Sequence, residues 1–122
     1  MKIILLCLVM SLSLRSGSAC AEATVQEFLR QHQRASDDGQ TYLEGYLRGV
    51  LAGYQASNLA LKAKGATPLF CLTTQGRSEL EDPMRTLKNA VGSDTSLGAS
   101  PVSIAFLVNL SRRFPCRTEP TK

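Results

Sequence analysis

The stretch QTYLEGYLRGVLAGYQASNLALKAK, residues 40–64, decides the fold class. Leu43, Tyr46, Leu47, Val50, Leu51, Tyr54, Leu59 and Leu61 recur at helical spacing, which predicts the longest helix of the chain. Along it Gly45, Gly49 and Gly53 return at every fourth position, with Ala52, Ala56 and Ala60 as a second row of small residues. A glycine costs a helix interior about 1 kcal/mol against alanine, so three in one row need a compensating contact. The expectation is close packing against another helix, within the subunit or across a dimer axis. Arg48, Gln55, Asn58 and Lys62 break the apolar run, which argues against a helix pair embedded in a membrane.

Upstream, Val25, Phe28 and Leu29 share one face of a shorter amphipathic helix over residues 23–34, closed by Ser36, Asp37, Asp38 and Gly39. Downstream, Gly65 and Pro68 turn the chain. Two helix starts then compete. Ser78 with Glu81 has the capping-box spacing, whereas Asp82 followed by Pro83 is an N-cap with proline at the first helical position. Proline deep in a first turn loses a backbone bond, so the regular helix is expected from Pro83, after an irregular turn from Ser78, with Met84, Leu87 and Val91 facing the core. Residues 92–99 read as a polar surface loop. Ser100 as N-cap and Pro101 at N1 open a last helix, apolar on most sides from Val102 to Leu110, which stops at Phe114 before Pro115. The sum is an all-α fold, a small bundle of four to five helices.

The first residues have the parts of a secretory signal: Lys2, an apolar run from Ile3 to Leu14, and small residues from Ser16 to Ala21. Cleavage is expected after Ala21, so that residues 1–21 are removed and 22–122 form one helical domain in the periplasm. A cut after Ala19 would leave Cys20 at the terminus, but Gly17 stands where a lipobox carries leucine. Losing Lys2 and Arg15 moves the charge balance from 14 basic against 10 acidic residues to 12 against 10. A nearly neutral chain whose one basic cluster is Arg112 with Arg113 gives no footprint for nucleic acid; that pair reads as a cationic cap on a helix end.

Of four cysteines, Cys7 and Cys20 belong to the signal and its edge, leaving Cys71 and Cys116. Two thiols in an oxidising compartment imply one bridge, which in the chain-entropy model stabilises by about 4 kcal/mol. Cys71 lies before the third predicted helix and Cys116 after the fourth, so an antiparallel pair would bring them together. Metal binding is disfavoured by their separation and by the single histidine, His32.

Catalytic constellations are poorly represented, and neither enzyme activity nor a cofactor is expected. His32 sits among Gln31, Gln33 and Arg34 on what reads as a solvated face. The carboxylates Asp37 and Asp38, and Glu79, Glu81 and Asp82, fall at helix starts, where they cap N–H groups.

Gly45-Tyr46-Leu47-Arg48-Gly49, Cys71 after a loop, and Pro101 leading through an apolar helix to Phe114-Pro115-Cys116 together resemble the Rap/Tai immunity proteins, periplasmic antidotes to cell-wall amidase toxins of type VI secretion. The chain departs from that pattern at Leu72-Thr73-Thr74 and at Pro83. The resemblance implies an all-helical domain, often a homodimer, that binds a peptidoglycan amidase and plugs its cleft. Contacts in such a family lie on variable loops, so the expected contact surface is positional: Ser93, Asp94, Thr95 and Ser96 in one loop, and Arg77, Glu79, Glu81 and Asp82 in the other. The competing reading is a housekeeping periplasmic helical module with no toxin partner.

Overall fold

The computed structural model describes residues 21–117. The expected signal segment, with Cys7 and Cys20, lies outside the described residues. Within them the chain forms five α-helices and no strand, as the periodicities predict, and one disulfide, as the cysteine count predicts.

Helix α1 (Val25–Arg34) starts at a complete capping box. The Thr24 hydroxyl accepts the Glu27 N–H, while the Glu27 carboxylate accepts the Thr24 N–H at 3.0 Å. Only Ala35 and Ser36 separate it from α2 (Asp37–Ala63). Ser36 caps α2, so Asp37 and Asp38 form its first turn, at the positive end of the helix dipole, rather than a closing loop. Leu47 and Leu51 are its buried residues. The helix ends in a Schellman motif: Gly65 takes the left-handed conformation (φ 69°), and the Ala66 N–H reaches back to the Leu61 carbonyl at 2.9 Å.

The next segment is held in place by side chains. Asn58 of α2 donates to the Phe70 carbonyl at 2.8 Å and accepts the Leu69 N–H at 2.7 Å, which seats Phe70 in the core. A short helix, α3 (Thr74–Glu79), follows where an irregular turn was expected only from Ser78. Thr73 caps it, and the ring of Phe114 lies on Gly76 so closely that an added Cβ would meet Cε1 at 2.6 Å. Ser78 is therefore inside α3 and starts no capping box. Helix α4 (Pro83–Ser93) begins as predicted, with Asp82 accepting the Arg85 N–H at 2.9 Å and proline in the first turn. The buried Thr86 hydroxyl donates to the carbonyls of Glu79 and Asp82, tying α3 to α4.

Residues 95–99 form a 3₁₀ turn rather than an open loop, because Asp94 accepts the Ser96 N–H and hydroxyl while Leu97 is drawn into the core. Helix α5 (Val102–Arg113) is the central element. Val102, Ala105, Phe106 and Leu110 are fully buried, and they join Val25, Phe28, Leu47, Leu87 and Met84 in one continuous cluster. Burial of each large side chain of this kind stabilises by about 1.5–3 kcal/mol, and the aliphatic and aromatic members of the cluster come from every helix except α3.

Two sequence readings are corrected here. His32 is buried, 9% exposed, and its Nε2 lies 3.2 Å from Glu44 Oε1 on α2. Its polar neighbours hid the fact that it shares the face of Val25 and Phe28 at helical spacing. Among the described residues the glycine row has no packing partner: a Cβ built on Gly45, Gly49 or Gly53 meets nothing within 4 Å. Among the described residues the expected close packing within the subunit is therefore not found, and the row lies on an open face with Tyr42, which is 78% exposed.

A candidate partner-binding face

The last turn of α5 brings together the two segments that sequence singled out. Arg112 Nη1 donates to Asp94 Oδ2 at 2.7 Å, and Arg113 Nη2 donates to Glu79 Oε2 at 2.6 Å. Adjacent arginines thus reach in two directions, one to the 3₁₀ segment and one to α3. They still lie in the last turn of the helix, as a cationic cap requires, and also act as the strut between the two predicted contact regions.

Asp94 is the best-fixed acid of the group. One of its oxygens accepts the Ser96 N–H at 3.1 Å and the Ser96 hydroxyl at 2.5 Å, and the other accepts Arg112. The Ser96 hydroxyl first, and Arg112 next, hold its carboxyl below the usual range. Glu79 is half-buried under Arg113, whereas Glu81 and Asp82 are exposed, with Arg85 3.8 Å from Asp82. Arg77 is exposed on α3 but lines a different cleft, with Gln55, Asn58 and Leu59 of α2, and so does not belong to this face. Ser93 closes α4 and donates to the Asn89 carbonyl at 2.9 Å; Thr95 is exposed beside it.

Between α4, the 3₁₀ turn and α5 lies a cleft of about 320 Å³. Asn89, Ser93, Asp94, Asn109, Arg112 and Arg113 supply its polar lining. Sequence reasoning missed Asn109, a buried polar residue within the apolar run of α5, 8% exposed, whose Nδ2 finds no hydrogen-bond partner among the described residues. The signal was available in principle, since one amide among Phe106, Leu107, Val108 and Leu110 is out of pattern.

The face is braced from below. Cys71 and Cys116 are joined, with Cα atoms 4.9 Å apart. The Cys71 N–H also donates to the Phe114 carbonyl at 2.8 Å, and the Ser111 hydroxyl donates to the Leu69 carbonyl at 3.1 Å. The end of α5 is thereby fastened to the segment leading into α3, so Arg113 and Glu79 are positioned by covalent as well as hydrogen-bonded links. Among the described residues no group of three or more His, Cys, Asp or Glu side chains could hold a metal ion, and no helix is long and apolar enough to cross a membrane.

Comparison with protein-family models, with curated proteins and with solved structures finds no match to this chain.

Proposed function

We propose that this chain is an exported immunity protein that binds a secreted peptidoglycan amidase and occludes its cleft. The observation that carries the reading is the face at the end of α5, where Asp94 and Glu79 are held by Arg112 and Arg113 on a scaffold closed by the Cys71–Cys116 bridge. Groups already fixed in place lose little freedom on docking, which favours tight and specific binding over adaptable capture. The resemblance of residues 42–116 to Rap/Tai proteins supplies the toxin class. Export to the periplasm supplies the oxidising compartment that the disulfide needs.

Periplasmic co-production with a panel of secreted amidases tests it, lysis being the readout. Survival with one member is expected, and that rescue is lost on reversing Glu79, Glu81 and Asp94 to arginine in a protein of unchanged helicity. Lysis with every amidase, or rescue indifferent to those reversals, would count against this surface.

A homodimer is part of the same proposal, and the open face of α2 favours it. In an antiparallel pair with Gly49 of one copy opposite Gly53 of the other, Tyr42 falls opposite Ala60 and Asp38 opposite Lys64. All of these lie on one helical face, bulk meets small side chains, and the acidic start of each helix meets the basic end of its mate.

A further inference from the structure

The cleft beside Asn109 has more donors than acceptors. Each guanidinium carries five N–H donors. The structure pairs Arg112 with Asp94 and Arg113 with Glu79, and neither carboxylate can satisfy more than part of such a fork. Asp94 has its own oxygens largely taken by Ser96 and Arg112. Asn109, more than nine-tenths buried, adds an amide nitrogen with no partner among the described residues. A buried donor left in that state has lost its hydration without a return, a cost that an incoming acceptor removes. Asn109 lines the cleft, and a half-turn about its terminal torsion, which is a broad one, exchanges the amide nitrogen and oxygen and turns the donor toward an incoming group.

We infer that this cleft is a carboxylate-binding site, taking the Asp or Glu side chain of a partner polypeptide between Arg112, Arg113 and the Asn109 amide. A carboxylate matches the planar fork of arginine and can accept from the amide at the same time. At about 320 Å³ the cleft has room for one carboxylate side chain. The inference rests on the immunity reading for the identity of its partner, and on the cleft alone for its chemistry. It assigns the two arginines to the partner's acids, whereas Glu79 and Asp94 orient the arginines.

The test is a ¹⁵N NMR titration of the processed, disulfide-bonded protein with N-acetylglutamate α-amide, and in parallel with its glutamine counterpart. Saturable shifts of the Asn109 side-chain amide and of the Arg112 and Arg113 Nε–H signals are expected with the glutamate probe, with a dissociation constant in the region of about 1 mM. The glutamine probe is expected to give none. Arg112→Gln, an exposed position, should weaken the binding roughly tenfold, the loss of one charge-assisted bond, with the backbone spectrum retained. Asn109→Asp should abolish it. Equal responses to both probes, or linear drift without saturation, would overturn the assignment. Saturable binding in a protein that rescues no cell separates failure of the immunity reading from failure of this one; rescue without probe binding separates them the other way.

Discussion

The carboxylate of Glu22 caps α5 across eighty-one positions of sequence, accepting the Ser103 N–H at 2.9 Å and the Ser103 hydroxyl at 2.6 Å. The second residue of α5 thus finds its partner in the segment before α1, where Ala23 also accepts the Val102 N–H at 3.2 Å, while the N–H of Val25, the first residue of α1, donates to the Ser100 carbonyl. Pro101 at the helix start provides no side-chain cap, so Glu22 takes the place that Ser100 was expected to fill.

Burial pushes the Glu22 carboxyl up, but the Ser103 hydroxyl, the Tyr46 phenol and the Ser103 N–H together outweigh it and hold the group below its ordinary value. A carboxyl shifted down contributes stability above its ordinary pKa and loses that contribution as pH falls through the lowered one. Glu22→Gln should therefore cost up to about 1 kcal/mol in urea unfolding at pH 7, the low end for a lost cap, because the group is partly exposed and glutamine keeps one acceptor. The difference from the parent protein should shrink as the pH is taken below 4. A gap that stays constant down to pH 2 would remove Glu22 from the account.

The Tyr46 phenol, donating to that carboxylate, is pushed up to about 12, burial being the largest cause and the Glu22 bond the next. In alkaline absorbance titration one tyrosine should ionise last, and Glu22→Gln should bring it down. The parent protein titrating all three tyrosines together near 10 would contradict the contact.

Much of this arrangement was legible in the sequence, and the reasons differ for what was not. The long helix, the start at Pro83, the stop before Pro115 and the Cys71–Cys116 pair follow from local signals of periodicity, fixed proline geometry and cysteine count. Helix α3 has no apolar period of its own; its position depends on the Thr73 cap and on Phe114 pressing against Gly76, a contact between residues far apart in the chain. The strut of Arg112 and Arg113 was read as a cap because a helix end explains basic residues locally, whereas its two acids arrive from separate segments. The Glu22 cap is invisible for the same reason.

Gly76→Ala follows from the α3 contact. Alanine is the better helix former by about 1 kcal/mol, yet its Cβ has to displace the Phe114 ring. Overpacking of this kind costs about 1–3 kcal/mol, so the net effect should be a lowered midpoint in thermal unfolding. A stabilised variant would show that the ring moves aside freely.

On the open face of α2 the same logic predicts that a substitution is tolerated. A Cβ at Gly53 meets no atom of the described residues within 4 Å, so Gly53→Arg, with its long side chain directed to the open face, should leave the circular dichroism unchanged. If two copies meet along the glycine row, this variant should sediment as a monomer under conditions where the parent is a dimer. A parent that is monomeric at all concentrations would remove the dimer from the proposal.

Replacing both Cys71 and Cys116 with alanine opens a loop of 45 residues and should cost about 4 kcal/mol, a large share of the 5–15 kcal/mol typical of a domain. The loss should concentrate in the segment from Phe70 to Glu79 and in the last turn of α5, where faster amide hydrogen exchange would report it.

The proposed function depends on the chain reaching an oxidising compartment with its brace closed. Intact mass spectrometry of the protein recovered from the periplasmic fraction measures both at once. The expected product is a chain beginning at Glu22 whose mass is two hydrogens below that of the reduced form. A chain that retains Met1 and carries Cys71 and Cys116 as thiols would contradict it.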